Sequence, residues 1–299
     1  MYLRNTWYVA ATSREIDRSL KHLKILDEDI VFYRTVSGAP VALEDACPHR
    51  KLPLSMGRII DDTVECGYHG LTFDCSGACV ASPTQEGQIP QGARVRSYPV
   101  ADKWGLVWIW TGDPALADES KILQIENADN PAWKLVGGDA MTCDCNYLYL
   151  TDNLLDPSHV AWVHRSSFAG AGTEDERLNI KVTEEGAVVQ RWIMDREPPP
   201  LYDKVFDFGA KCDRLQYYEV RFPSYSLNKS VFTPAGTGGD GMELPDEACI
   251  MVSYHFLTPI DEHSTRYHWM QHRNKEPDNE KISLMAAEGA RAAFEEDRD

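Results

Sequence analysis

Two groups of metal-ligand side chains stand out in the 299-residue chain. The first is Cys47-Pro-His49, followed after sixteen residues by Cys66-Gly-Tyr-His69. The second is Asp156-Pro-Ser-His159, with His164 five positions further on. Two thiolates and two imidazoles can hold a pair of bridged irons, and two imidazoles with a carboxylate can hold a single iron. A chain with both can store an electron at one metal and deliver it to oxygen at the other.

In the first group each half places a cysteine and a histidine on a tight loop. Gly67 and Gly70 let the backbone bend closely around the metal. In a Rieske centre one iron takes both cysteines and the other takes both histidines. Neutral imidazoles in place of two anionic thiolates ease reduction, raising the potential to about −150 to +300 mV from about −400 mV. A structural zinc is the competing use of these four side chains. Zinc fingers usually put both cysteines in one half and both histidines in the other. Here each half has one of each, which favours the iron–sulfur reading.

The second group sits in a helical pattern, Thr151 to Val163, and includes Asn153. On a helix Asp152, Asp156 and His159 follow i, i+4, i+7 and share one face. His164 lies about 140° around from His159 at roughly 100° per residue, so the helix must end or deform between them. Pro157 supplies part of that distortion. Two histidines and a carboxylate on one side of an iron leave its other positions open for oxygen and substrate. The carboxylate must come from elsewhere in the chain. Alone, a His-x4-His pair also fits packing or capping; the upstream cluster motif is what makes it a site.

Composition narrows the function classes. Thirty basic residues against 47 acidic ones give a formal charge of −17, a surface that repels nucleic acid. That charge serves solubility; an acidic patch for a basic redox partner is the sharper reading. No stretch approaches the roughly 18 apolar residues of a membrane span, and the first residues lack a signal-peptide pattern. The expected compartment is therefore the cytoplasm. There Cys75 and Cys79, flanking a turn, Cys143 and Cys145, alternating in a strand-like run, and Cys212 and Cys249 read as packed thiols.

The elements that must position these groups differ along the chain. The first third reads as β structure: Lys24 to Arg34, Pro40 to Glu44, Val64 to Cys66, Leu71 to Phe73 and Leu106 to Trp110. This small antiparallel domain, residues 1–115, ends near Gly112-Asp113-Pro114. In residues 116–299, Gly138 to Tyr149 reads as a strand leading into the ligand helix. Ile180 to Val182, Ala187 to Met194, Leu215 to Phe222, Ala248 to Leu257 and Thr265 to Gln271 are β-like. Pro234 to Gly241 reads as a flexible loop, too irregular for a dinucleotide site, and Glu276 onwards as a helix. The expected class is α+β: an N-terminal all-β domain, then a catalytic domain whose curved antiparallel sheet wraps on long helices.

The chain resembles the oxygenase component of Rieske non-haem iron oxygenases, in the branch of vanillate O-demethylase and of dicamba and toluenesulfonate monooxygenases. The resemblance runs through Asn5-Thr-Trp-Tyr-Val-Ala10, Ile30-Val-Phe-Tyr-Arg34, Cys47-Pro-His-Arg50, Cys66-Gly-Tyr-His-Gly-Leu71, Asp152-Asn-Leu-Leu-Asp-Pro-Ser-His159 and Glu296-Asp297. It implies a [2Fe-2S] cluster on Cys47, His49, Cys66 and His69, and Fe(II) on His159, His164 and Asp297. Glu295 and Glu296 stay open as alternatives to Asp297. It also implies that Asp156, aided by Asn153, joins the metals by hydrogen bonds to a cluster histidine and to His159. The family continues past its third ligand, whereas this sequence stops two residues after Asp297.

Further implications concern assembly and substrate. The cluster of one subunit would serve the iron of the next in a head-to-tail homotrimer. Electrons would come from a separate NAD(P)H-dependent flavin and iron–sulfur reductase. The substrate would be a small aromatic, most simply a vanillate-like methoxybenzoate. Hydroxylation of its methoxy methyl gives a hemiacetal that collapses to a phenol and formaldehyde. An aryl sulfonate or other aromatic acid is the alternative, as is a non-catalytic Rieske electron carrier. The branch's pocket Asn and His map onto Asn228 and His255. Its dicamba members' tryptophan on the last helix maps onto Glu288, and Arg191, Arg221 and Arg266 are candidate anchors for an acid group.

Overall fold

The computed structural model describes residues 2–83, 85–137, 139–164 and 173–298. It divides into two compact units, Met1–Gln124 with Thr258–Arg266, and Ile125–Leu257 with Tyr267–Asp299.

The first unit is built of short strands: β1 (Thr6–Thr12), β2 (Lys21–Ile25), β3 (Glu28–Arg34), β4 (Pro40–Glu44), β5 (Arg58–Ile60), β6 (Thr63–Glu65), β7 (Thr72–Phe73), β8 (Cys79–Ala81), β9 (Ser97–Tyr98), β10 (Val100–Lys103) and β11 (Leu106–Thr111). They form three antiparallel sheets, ordered β1-β11-β10, β2-β3-β4-β9 and β5-β6-β7-β8. The run expected as one segment from Lys24 to Arg34 is a hairpin, because Leu26 and Asp27 take left-handed backbone at its turn. One core gathers Val31, Tyr33, Leu43, Leu54, Val64 and Phe73 around Cys47 and Cys66.

The two cysteine loops, between β4 and β5 and between β6 and β7, close in the same way. The Cys47 N–H donates to the Leu52 carbonyl at 2.9 Å, and the Lys51 N–H returns to the Cys47 carbonyl at 2.8 Å. The Cys66 N–H donates to Leu71 at 2.8 Å, and the Gly70 N–H returns to Cys66 at 3.1 Å. The fourth residue after each cysteine is left-handed, Lys51 at φ 57° and Gly70 at φ 72°. At Gly70 a Cβ would also lie 2.6 Å from the Pro83 ring, so the second loop needs glycine there.

In the second unit the strands are β12 (Lys134–Val136), β13 (Ala140–Cys143), β14 (Asn179–Val182), β15 (Gly186–Arg196), β16 (Cys212–Arg221), β17 (Tyr225–Pro234), β18 (Cys249–Pro259) and β19 (Thr265–Arg273). They make an eight-stranded sheet, ordered β12-β19-β18-β17-β16-β15-β14, with β13 also on β19. The helices are α1 (Tyr147–Leu155), α2 (Val160–Val163), α3 (Pro200–Phe206) and α4 (Glu280–Arg298). Only α4, at 19 residues, is long among the described residues. No helix there is long and apolar enough to cross a membrane.

Several expected elements shift. The strand expected from Gly138 to Tyr149 covers Ala140–Cys143 alone; Gly138 lies outside the described residues. Asn146 caps α1 by accepting the Leu148 N–H at 3.1 Å, so Tyr147 to Tyr149 turn helical and Cys145 falls outside β13. The expected ligand helix is two helices, broken around Pro157. The loop after Pro234 is tethered, because the fully buried Asp213 carboxylate accepts the Gly236 and Gly238 N–H groups at 2.7 and 3.0 Å. None of the eight cysteines is in a disulfide, and Cys75 is exposed instead of packed, donating to the Asp62 carbonyl at 3.3 Å.

Gly70→Ala should destabilise the first unit by roughly 1–3 kcal/mol, since both the left-handed backbone and the Pro83 contact resist a methyl group. Thermal unfolding followed through the visible bands of the cluster checks this; an unchanged midpoint contradicts it.

Candidate active site

The four residues of the first motif converge in the first unit. Cys47 and Cys66 are buried at 2% and 3% exposure, whereas His49 is exposed and His69 half-buried. The two imidazole rings lie 4.5 Å apart. Burial pushes the Cys47 thiol up, and the N–H groups of His49 and Arg50 pull it down as donors to the sulfur. Among the described residues, the His69 Nδ1 is buried without a hydrogen-bond partner. Two inward thiols, two outward imidazoles and an orphaned ring nitrogen fit a cluster with one sulfur-held and one histidine-held iron.

The second motif is shaped by the break between α1 and α2. Asp156 follows the last residue of α1, and its carboxylate accepts the Ser158 N–H at 2.8 Å and the Ser158 hydroxyl. The Pro157 carbonyl accepts from the buried Arg191 at 3.3 Å, and Arg191 also donates to Gln216 at 2.7 Å. This cation thus props the break. His159 stands at the start of α2 and His164 just past its end, which solves the angular mismatch of a continuous helix. Asp156 makes no hydrogen bond to His159 among the described residues, and the His159 Nδ1 is buried without a partner.

The third group arrives on α4. Ala290, Ala293, Phe294 and Asp297 lie on one face of it, at helical spacing. The Asp297 Oδ1 is 3.1 Å from the His164 Nε2 and 3.7 Å from the His159 Nε2. Ligand atoms of all three lie within 4.8 Å of one another. Three such donors converging from separate elements could together hold one iron.

Glu296 occupies a different place. The His164 Nδ1 donates to its carboxylate at 2.8 Å, which leaves the Nε2 lone pair facing the Asp297 carboxylate. Two acceptors that close require a proton or a cation between them. Burial opposes a charged His164, yet its hydrogen bonds to the acceptor carboxylates of Asp297 and Glu296 outweigh it and raise its pKa. Glu295 turns towards Arg291 at 3.8 Å. Asn153 reaches Asp297 at a long 3.5 Å, as an orienting contact. The donor set fits a facial His-His-carboxylate iron site.

These side chains open on a pocket whose wall includes Asn228, His255, Arg214 and Tyr218. Strand parity explains the set. Tyr218 pairs with Asn228 and Asn228 with Ser253, two residues from His255, so all point to one face of the sheet. Burial holds His255 neutral, its pKa pushed down to about 3 although Asp297 works the other way. Phe294, Tyr267 and Trp269 pack against one another beside it, with ring centroids 5.0–5.6 Å apart.

None of the three arginines considered as anchors lines this cavity. Arg191 is committed to Gln216 and Pro157, Arg221 pairs with Glu219, and Arg266 pairs with Glu15 at 3.2 Å. Glu288 lies on the exposed side of α4 and takes no part. Lys229 and Arg214 line the cavity, and Arg214 is buried against the rings of Tyr202 and Phe232 and donates to Ser230 at 3.3 Å. Its strand parity with Tyr218 is readable in the sequence, but the pairing with β17 that places it is not.

Comparisons with known proteins agree along the whole chain. Residues 6–99 match the Rieske [2Fe-2S] domain, and residues 143–299 match the vanillate O-demethylase oxygenase C-terminal domain. The iron–sulfur subunit of the toluene-4-sulfonate monooxygenase system of Comamonas testosteroni is 38% identical over 303 residues, spanning all of this chain and 86% of the relative. A vanillate O-demethylase oxygenase subunit of Pseudomonas sp. (strain HR199 / DSM 7063) is 34% identical over 305 residues, 100% of this chain and 85% of the relative. The crystal structure of dicamba monooxygenase bound to dicamba superposes with a TM-score of 0.88 at 34% identity, covering 99% of this chain and 85% of that one.

Glu296→Gln should weaken iron binding about 10- to 100-fold by loosening His164, while the cluster absorption stays unchanged. Iron titration of metal-depleted protein measures this; an unaltered affinity would show that Glu296 is only a surface carboxylate.

Proposed function

The chain belongs to the Rieske non-haem iron oxygenases, in the vanillate O-demethylase branch, and from that premise we propose that it demethylates a vanillate-like methoxybenzoate. It is the terminal oxygenase of a Rieske monooxygenase system, using a [2Fe-2S] cluster and a mononuclear iron. The observation that carries the reading is Asp297 facing His159 and His164 at the mouth of a cavity walled by Asn228 and His255. His159, His164 and Asp297 would hold an iron that would supply oxygen activation, with electrons stored at a cluster on Cys47, His49, Cys66 and His69. The chain's own residues do the rest. Phe294 and Tyr218 give an aromatic ring apolar contact, and Asn228 and His255 orient its polar substituents. The buried wall limits water around the reacting carbon.

Cys47, His49, Cys66 and His69 are the proposed cluster ligands, and His159, His164 and Asp297 the proposed iron ligands. Asp156 is proposed as the bridge between metals of neighbouring subunits in a head-to-tail homotrimer. Two features support that role. Asp156 is exposed at the end of α1, and the His159 Nδ1 is buried without a partner in the single chain. The electron donor is a separate NAD(P)H-dependent reductase. The similarity to a toluenesulfonate monooxygenase subunit supports a second substrate class, aryl sulfonates.

Oxygen uptake with a surrogate reductase and a panel of methoxybenzoates and aryl sulfonates tests the substrate. Formaldehyde formed in step with oxygen consumed from a methoxybenzoate is the expected result; uptake with 4-toluenesulfonate alone would move the assignment to sulfonates. Asp156→Asn should retain both metals and lose activity roughly 100-fold. Full activity with full metal content would remove the bridge.

A further inference from the structure

His255 has two unequal ring nitrogens. Its Nδ1 meets the Tyr267 hydroxyl at 2.7 Å, whereas its Nε2 is buried with no hydrogen-bond partner among the described residues. The side chain lines the cavity at 1% exposure, and the Phe294 ring stands 5.6 Å from it. Tyr267 is buried as well, and its hydroxyl has no other hydrogen-bond partner among the described residues. The rings of Trp269 and Phe294, 5.6 and 5.0 Å away, fix the orientation of the phenol.

An imidazole this buried is neutral and carries a single ring proton. With that proton on Nδ1, it would donate to Tyr267 and strand the phenol O–H without an acceptor. A buried donor left unpaired is costly. With the proton on Nε2, the Tyr267 O–H donates to Nδ1, and only the Nε2–H is left without a partner among the described residues. The group left for the cavity is then an N–H.

We propose that Tyr267 is a positioning residue that locks His255 in its Nε2–H tautomer, so that the cavity presents a fixed hydrogen-bond donor. The substrate it selects carries an acceptor oxygen at that point: a carboxylate, a sulfonate or an ether. Asn228 does not impose this choice, because an amide can turn to offer either its oxygen or its nitrogen. The inference rests on the oxygenase reading and adds the polarity of the substrate group that faces β18.

The test is a double-mutant cycle on the iron-loaded holoenzyme, kept anaerobic, with 3-methoxybenzoate as the titrated probe. At neutral pH this probe has acceptors and no donor. Tyr267→Phe should weaken binding about tenfold. In a His255→Gln background, where the amide N–H no longer depends on Tyr267, the same change should alter affinity by less than about twofold. Equal losses in both backgrounds, tracking a lowered thermal midpoint, would make Tyr267 merely structural and overturn the proposal. Unchanged binding in Tyr267→Phe, with wild-type turnover intact, would overturn the tautomer lock alone. Failure of the wild-type holoenzyme to bind any methoxybenzoate or aryl sulfonate would overturn the substrate reading together with it.

Discussion

A carboxylate held against two imidazole lone pairs is the constraint on which the second unit depends. Once the His164 Nδ1 is committed to Glu296, its Nε2 faces Asp297 at 3.1 Å, and only a positive charge makes that approach favourable. Bringing three such groups together needs three elements that would not otherwise meet. The helix break at Pro157 sets off α2, which carries His159 at its start and His164 just past its end, and the buried Arg191 holds the Pro157 carbonyl in place. On α4, Ala286, Ala290 and Ala293 are buried small residues, leaving room for the cavity between helix and sheet.

The same logic governs the cavity wall. Strands β16 to β18 turn polar residues, Ser226, Asn228, Ser230, Ser253 and His255, to the face where a core would normally be apolar. Buried polar atoms are tolerable only when paired or reserved for a ligand. Arg214 settles against aromatic faces and Ser230, and Tyr267 satisfies one side of His255. In the first unit the apolar core closes around the cysteines, and the histidines are left at the outer side of their loops.

Much of this was legible before any coordinates. The Cys-x-His and Cys-x2-His spacing, an interruption of the ligand helix near Pro157 and the α+β class all follow from residue type and period. What stayed hidden has physical causes. Strand β17 escaped because its cavity face is Ser226, Asn228 and Ser230, which removes the apolar alternation that marks a half-buried strand. The α1 start was obscured by the strand-like run before it, and the Asn146 cap decides the boundary. Arg214 could not be chosen over Arg191, Arg221 and Arg266, because strand register, not residue type, sets which cation faces the cavity. The roles of Glu296 and Tyr267 depend on which ring nitrogen each one meets, information that no linear spacing contains.

The central claim is that one chain carries both metal centres, and metal stoichiometry addresses it most directly. Iron and acid-labile sulfide should be counted on the purified protein, with electron spin resonance of the reduced form. The account predicts roughly three irons and two sulfides per chain, with the resonance of a histidine-ligated two-iron cluster. Two irons and two sulfides would reduce the chain to an electron carrier, and zinc without sulfide would contradict both sites.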